Sequence, residues 1–498
     1  MSSQSDAAPA PHRSRKPSVE GPVRVRFAPS PTGFLHVGGV RTAIYNDLLR
    51  HSVGGAFLLR IEDTDRQRSD QAMIDQICNG LRWIGVHWDE GPFLQSEGVE
   101  RHRRTAEELV EAGQAYYCFR TPEELEAARN EAQKDGGIFR YREVFEPPSP
   151  EETERRRAAG EACAVRFRMP QEDIRIDDLV QGEVTFPAES LDDFIILRSD
   201  GSPTYHLSVV CDDVETEVTH VLRGDDHLSN TPKHVGLFRA LGAEVPTFGH
   251  LPLILGSDKK RLSKRTGATS VEEFRDQGLL PQALYNALAL LGWSPGEDLE
   301  VMDRAEMIRR FTVDRINAAA AVFDRDKLAW INGQYMSGLP LEDLMPHLEP
   351  FLAKVELSGL QGDERKRLLV AVDLHRTRAH NLMELAEYVV PYFREHLEYD
   401  KDLCAKFLRQ PELPDQLEQL ANRYAALEEF RIDPLDQALR SLAEELEVKA
   451  GVLIHPTRMA LTGSKAGPPV FDVVEAMGRE ATDRHLRRLA AFLRKNAE

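Results

Sequence analysis

The stretch "RFAPSPTGFLHVGGVRTAIYN", residues 26–46, puts His36, Gly38 and Gly39 where a strand-like run, VRVRFA, gives way to a helical pattern with Val40, Ala43, Ile44 and Leu48 on one face. A helix N-terminus offers unpaired backbone N–H groups and the positive end of its dipole, and glycines let an anion come close, so the loop suits a phosphate. The spacing is neither G-x-x-x-x-G-K-[ST] nor G-x-G-x-x-G. Tight helix packing by both glycines and a satisfied loop histidine would account for the same residues. A second loop, "GSDKKRLSKRTGATS", residues 256–270, gathers Lys259, Lys260, Arg261, Lys264 and Arg265 behind the strand-like HLPLILG. Charge clusters are usually solvated surface, but this one follows a sheet strand, at the rim where α/β folds bind ligands. A cationic loop facing a phosphate-accepting helix end stabilises charge that develops on a transferred or displaced phosphate.

The elements that must hold these loops read as strand, glycine-rich loop, helix, strand, helix over residues 23–85, the βαβ grammar of a parallel sheet. The grammar returns after residue 190. "DFIILRSDGSPTYHLSVV" predicts a hairpin leading into a helix, THVLRG a strand, TPKHVGLFRALG a helix with Thr231 at its N-cap, and HLPLILG another strand. Between the halves, residues 115–190 turn charged and proline-rich, which predicts an insertion. From about residue 270 the pattern is almost entirely helical.

The chain has 498 residues, more than one hydrophobic core organises, so several domains are expected. No run of apolar residues is long enough to span a membrane, and the opening "MSSQSDAAPAPHRSRKPSVEG" reads as a polar tail without a secretory signal's apolar segment. Five scattered cysteines, at 78, 118, 163, 211 and 404, fit reduced thiols in a cytoplasmic compartment. A net charge of -19 argues against bulk electrostatic binding of nucleic acid, so such a partner needs local basic surface. "RHLRRLAAFLRK", with Leu486, Leu489 and Leu493 in one stripe, is one candidate; a solvated helix face reads the same way.

His36-Val37-Gly38-Gly39 resembles the HxGH-type signature, and Arg261-Leu262-Ser263-Lys264-Arg265 the KMSKS-type signature, of class I aminoacyl-tRNA synthetases. "LRIEDTDRQRS", "GVHWDEGP", "DGSPTYHLSVVCDD", "HVLRGDDHLSNTPKHV" and "FDRDKLAWINGQY" resemble the bacterial glutamyl-tRNA synthetase family, from about residue 23 onward and more weakly beyond 340. Gly39, where the glutaminyl branch has His, favours the glutamyl branch.

The resemblance implies a Rossmann-type parallel-sheet α/β catalytic domain with an α+β insertion, followed by an all-α anticodon-binding region. Its expected divisions are a tail 1–22, catalytic halves 23–115 and 195–255, an acceptor-binding insertion 116–194, a stem-contact domain 256–340 and a helical region 341–498. It implies ligation of L-glutamate to tRNA-Glu with ATP and Mg²⁺, by a cytoplasmic monomer without membrane contact. His36, Gly38, Gly39, Ser263 and Lys264 are the implied catalytic set, with His36, Gly38 and Lys264 on ATP. Arg26, Ser30, Glu62, Tyr205 and Arg223 are implied for glutamate. Two guanidinium groups suit a γ-carboxylate and one carboxylate suits an ammonium. Arg376 and Arg378 are implied for tRNA, although solvent-facing helix arginines would look alike.

Three positions depart from the family pattern. Arg261 stands where Lys is common, and Val209 where some relatives carry a polar residue. Cys118 lacks the second cysteine of the C-x-C that begins a zinc cluster in many relatives, Arg120 taking its place, so no zinc or other metal site is expected. An enzyme that also charges tRNA-Gln is the alternative. The length disfavours a short paralogue that modifies tRNA, the helical tail disfavours a small nucleotidyltransferase, and His36, Lys264, Arg223 and Glu62 disfavour an inactive tRNA-binding regulator.

Overall fold

A computed structural model describes residues 19, 22–31, 33–64, 70–134, 136, 139–262, 269–399, 408 and 410–496. The strands, in chain order, are β1 (Val23–Phe27), β2 (Gly55–Ile61), β3 (Glu90–Leu94), β4 (Ala115–Cys118), β5 (Ala164–Phe167), β6 (Ile174–Asp178), β7 (Gly182–Phe186), β8 (Phe194–Leu197), β9 (His220–Gly224), β10 (Thr247–Leu251), β11 (Ile254–Leu255) and β12 (Ala321–Val322). The chain divides into two compact units, Met1–Glu272 with Tyr285–Asp324, and Glu273–Leu284 with Arg325–Glu498.

The first unit is built on a parallel sheet of order β10-β9-β1-β2-β3. Val23, Val25, Phe57, Leu58, Leu59, Val221 and Leu222 are all buried, as a sheet covered on both faces requires. Gly55, with φ +137°, opens β2 opposite Val23, where a Cβ would lie 1.9 Å from the Val23 carbonyl oxygen, so glycine alone permits this pairing. The chain runs outward from β1 to β2 and β3, then returns to pair β9 on the other side of β1. That reversal opens a crevice at the carboxyl ends of β1 and β9.

Helix Val37–Val53 follows the glycine-rich loop, as the pattern predicts. The charged stretch forms the antiparallel sheet β4-β5-β8 and the hairpin β6-β7, with a small cluster of its own in Tyr116, Cys118 and Tyr141, while its larger core is shared with the parallel sheet. Phe167, Met169, Ile174 and Ile196 pack in one cluster with Val210, Val221 and Phe248 from the parallel-sheet side. Thr231 does not cap its helix: Asn230 precedes helix Thr231–Ala240, and the Thr231 hydroxyl is engaged by Arg223 Nη2 at 2.8 Å.

The second unit is helical, from Leu341–Lys354 through Gly362–His375 and Leu382–Val389 to Arg479–Lys495. In helix Arg479–Lys495 Leu486 and Leu489 are buried, but the basic face is partly spent within the unit. Arg487 binds Asp483 at 2.9 Å and Asn422 at 2.7 Å, and Arg494 binds Asp415 at 2.6 Å and Glu418 at 2.5 Å. Those pairs weaken the sequence-based reading of this helix as a nucleic-acid surface. Among the described residues no helix is long and apolar enough to cross a membrane.

Candidate active site

A cavity of about 690 Å³ opens at the carboxyl ends of β1 and β9, and its walls include Arg26, Ser30, His36, Gly38, Gly39, Glu62, Tyr205 and Arg223. Eight of the sequence-predicted positions thus share one wall system. Ser263 and Lys264 lie outside the described residues. Arg261 and Leu262, just before them, line the cavity, and Arg261 pairs with Asp226 at 3.2 Å. The far end of the loop returns to the first signature, where Val37 N donates to the Thr269 carbonyl at 2.9 Å and His36 bridges Ser270.

His36 is the N-cap of helix Val37–Val53, its Nδ1 accepting from Gly38 N at 3.2 Å. That bond fixes the neutral ring with its proton on Nε2. A Cβ on Gly38 would meet nothing closer than His36 Nδ1 at 3.6 Å, ordinary contact, so packing does not demand glycine there. What the missing side chain leaves open is the cavity.

The two arginines predicted for one carboxylate differ in their surroundings. Arg26 is clasped by Asp213, Nε to Oδ1 at 3.2 Å and Nη2 to Oδ2 at 3.3 Å. Asp213 also takes Arg60 Nη1 at 2.6 Å. Burial alone would raise the Asp213 pKa, but Arg26 and Arg60 outweigh it and hold it low. Arg223 instead donates to His250 Nε2 at 3.1 Å, Thr231 Oγ1 at 2.8 Å and the His227 carbonyl at 3.3 Å, with Nη1 3.2 Å from His234 Nδ1. All four acceptors are uncharged. Desolvation therefore pulls the Arg223 pKa down to about 10, the sign of a buried cation awaiting an anion.

Glu62, after β2, is largely buried, with Arg60 Nη2 at 3.6 Å. Desolvation raises its pKa in spite of Arg60 and Arg26. Tyr205 opens helix Tyr205–Glu215, reaches His227 Nδ1 at 3.0 Å, and is pushed up to about 12 mainly by burial. The cavity thus pairs an under-neutralised guanidinium with an under-neutralised carboxylate, the complement of a zwitterion that carries one further acid group.

Residues 22–330 match the family described as tRNA synthetases class I (E and Q), catalytic domain, and residues 342–493 match an anticodon binding domain. The chain belongs to the class I E and Q synthetase family. It is 46% identical over 472 residues to glutamate–tRNA ligase 2 of Koribacter versatilis, covering 94% of this chain and 98% of that one. It is 43% identical over 472 residues to glutamate–tRNA ligase of Geobacter sulfurreducens, covering 95% and 99%. A glutamate tRNA ligase of Elizabethkingia meningosepticum, solved in complex with its amino acid, superposes with a TM-score of 0.86 at 32% identity, covering 95% of this chain and 99% of that one.

This class I synthetase carries its tRNA candidates in the second unit. Arg376 is largely spent, donating to the Leu339 carbonyl at 2.5 Å and pairing with Asp373 at 2.8 Å. Arg378 is exposed. In the insertion Cys118 is buried with its Sγ 3.2 Å from the Tyr141 hydroxyl, and the Arg120 guanidinium stacks 4.6 Å from the Phe145 ring centre. A guanidinium and a phenyl ring cannot ligate zinc, so this set does not fit the metal of the C-x-C relatives. Among the described residues no cluster of three or more His, Cys, Asp or Glu side chains is placed to hold a metal ion.

Sequence reasoning passed over Asp213, Arg60, Asp178 and His250. A signal existed for the first: Asp212 and Asp213 continue the buried face of helix Tyr205–Glu215 beside Leu207, Val209 and Val210, and carboxylates there require cationic partners.

Proposed function

We propose that the cavity binds L-glutamate and ATP together, with Arg223 on the γ-carboxylate, Glu62 on the α-ammonium, Arg26 and Ser30 on the flanking walls, and Tyr205 closing the side. The chain is a glutamate–tRNA ligase in activity. The α-carboxylate attacks the α-phosphorus of ATP and pyrophosphate leaves; a ribose hydroxyl of the terminal adenosine of tRNA-Glu then attacks the acyl carbon and AMP leaves. The first transition state is highly anionic, so catalysis is mostly positioning and electrostatics. His36 and the Gly38 and Gly39 amides hold adenosine and phosphate, and Lys264, with Ser263 in the same catalytic set, neutralises the departing pyrophosphate. Mg²⁺ arrives bound to ATP rather than in a protein cage.

Residues 116–194 grip the acceptor end, 256–340 the stem, and 341–498 the anticodon, with Arg378 the better placed of the two arginines. The enzyme works as a cytoplasmic monomer. One observation carries the substrate assignment: Arg223 is buried at the cavity with four uncharged acceptors. Charging of tRNA-Glu and tRNA-Gln transcripts with labelled glutamate tests it. The expected product is glutamyl-tRNA-Glu; equal charging of tRNA-Gln establishes the broader enzyme, and no charging of either overturns the assignment.

A further inference from the structure

Arg223 and His250 are register partners on β9 and β10. An arginine side chain only donates, so His250 Nε2, 3.1 Å from Arg223 Nε, is an acceptor and carries no proton. The ring proton therefore sits on Nδ1, which points at Asp178 Oδ2 at 2.5 Å. Both side chains are fully buried. The remaining oxygen, Asp178 Oδ1, accepts from the backbone N–H of Gln181 at 2.8 Å, Val180 at 2.9 Å and His250 at 3.1 Å. Asp178 is thus locked in one orientation.

The carboxylate belongs to the β6-β7 hairpin, which lies against β10: Leu179 N donates to the Phe248 carbonyl at 2.8 Å, and Gln181 Nε2 to the His250 carbonyl at 3.0 Å. Gly249 leaves room for this approach, since a Cβ there would come within 3.3 Å of Leu179 Cβ on the hairpin side.

We propose that Asp178 and His250 are a positioning dyad that fixes one imidazole tautomer and so aims the Arg223 guanidinium into the cavity while leaving its charge uncompensated. The inference rests on the reading of Arg223 as the partner of the γ-carboxylate. A carboxylate placed directly on Arg223 would orient it equally well but neutralise it, as Asp213 does for Arg26. Interposing a neutral ring keeps the orientation and removes the competing anion from contact.

Asp178→Asn is the sharp test. The three backbone donors keep an oxygen at the Oδ1 position, so the new NH₂ faces His250 Nδ1 and donates to it. The ring proton must then move to Nε2, where it opposes Arg223 Nε–H. The expected result is a KM for glutamate raised by about 10- to 100-fold, the scale for losing an outer partner of a binding group, with KM for ATP within about twofold and kcat changed far less than KM. Nitrogen-15 spectra of the histidine rings, with His250 assigned by its loss in His250→Gln, read the tautomer directly: Nδ1–H in the parent and Nε2–H in Asp178→Asn. The parent spectrum stands even if a variant misfolds, and a parent ring protonated on Nε2 overturns the dyad. An unchanged KM for glutamate in a folded Asp178→Asn, with Arg223→Gln impaired, also overturns the dyad alone. If Arg223→Gln itself leaves that KM unchanged, the reading of Arg223 beneath it fails instead.

Discussion

Asp213 holds Arg26 by three hydrogen bonds, Nε to Oδ1 at 3.2 Å and to Oδ2 at 3.4 Å and Nη2 to Oδ2 at 3.3 Å, so the two cavity arginines are not equivalent. Arg26 is half of a buried ion pair, whereas Arg223 faces the cavity with neutral acceptors only. Arg26→Gln removes a partner of Asp213, and the cost falls on folding, about 1 to 3 kcal/mol, with Arg60 limiting the loss. Arg223→Gln leaves no carboxylate orphaned in the free protein and withdraws the cation that the γ-carboxylate needs. We expect kcat/KM for glutamate to drop by about 100-fold or more, the scale of a buried charge pair broken at one partner, with KM for ATP little changed. Urea unfolding and steady-state kinetics, with tRNA-Glu present throughout, separate the two effects. Equal losses in both assays for both variants would remove the distinction.

Gly38 offers a substitution in which stability and function part. It occupies the second helical position after the His36 cap, its φ is not in the left-handed region, and a methyl group there meets only His36 Nδ1 at 3.6 Å. Gly38→Ala is therefore expected to stabilise the fold by about 0.4 to 1 kcal/mol through the unfolded chain's entropy. The same methyl intrudes on the wall at which ATP approaches the backbone, so KM for ATP rises. A destabilised variant with normal ATP kinetics would mean that the glycine serves packing after all.

Glu62 gives a pH dependence whose sign follows from burial. Its folded pKa is raised, chiefly by desolvation, so the folded chain holds the proton more tightly than the unfolded chain. The ionised carboxylate then costs stability, a cost absent below the ordinary carboxylate range near pH 4 and fully present above the raised value. Glu62→Gln should unfold at higher urea than the parent at neutral pH, with the gap closing toward about pH 4. In the parent, kcat/KM for glutamate should fall on the acid side at a pH above the ordinary carboxylate range, as the partner of the ammonium is lost. The variant should show no such limb and a kcat/KM lower by at least about tenfold. A gap that widens on acidification would reverse the assigned sign.

The parts of the site legible in the sequence are those fixed by local pattern. His36, Gly38 and Gly39 sit where the period changes from strand to helix, and Arg26, Glu62 and Arg223 fall at or just past the carboxyl ends of strands, where a parallel sheet binds ligands. What stayed hidden depends on register and distance along the chain. Arg223 meets His250 only because β9 and β10 pair in one register, and His250 meets Asp178 across 72 residues of sequence. Thr231 was misread for a related reason: it has the composition of an N-cap, but the Arg223 donor won its hydroxyl. Arg494 looked like a nucleic-acid contact because its acidic partners, Asp415 and Glu418, lie on a different helix.

Arg376 and Arg378 should separate by assay. Arg376 supports the second unit through the Leu339 carbonyl and Asp373, so Arg376→Ala costs about 1 to 2 kcal/mol of stability. Arg378 is exposed, and Arg378→Ala should leave the unfolding midpoint within about 0.5 kcal/mol of the parent while weakening tRNA-Glu in a filter-binding titration. Sequence-specific RNA reading uses hydrogen bonds to unstacked bases, so the loss should be greater for the cognate anticodon than for one changed at its third base. Loss of binding in Arg376→Ala at full stability would exchange the two roles.

Lys264, which lies outside the described residues, is the cation proposed above for the departing pyrophosphate. Leu262 lines the cavity, and Thr269 and Ser270 are tied to Val37 and His36, so both ends of the intervening segment are anchored at the cavity rim. A positioned charge of this kind stabilises the pyrophosphate as it departs and does little for the ground state. Lys264→Ala should therefore lower single-turnover adenylate formation by about 100-fold or more, the scale for removing one preorganised group from an anionic transition state. Affinity for tRNA-Glu should change little if, as proposed above, the helical region 341–498 carries most of that contact. Rapid-quench measurement of adenylate beside a tRNA binding titration decides the matter. Normal adenylation with collapsed tRNA affinity would make the loop a nucleic-acid contact and leave the leaving pyrophosphate to other groups at the cavity, with Arg261, now paired to Asp226 at 3.2 Å, the nearest cation among the described residues of the loop.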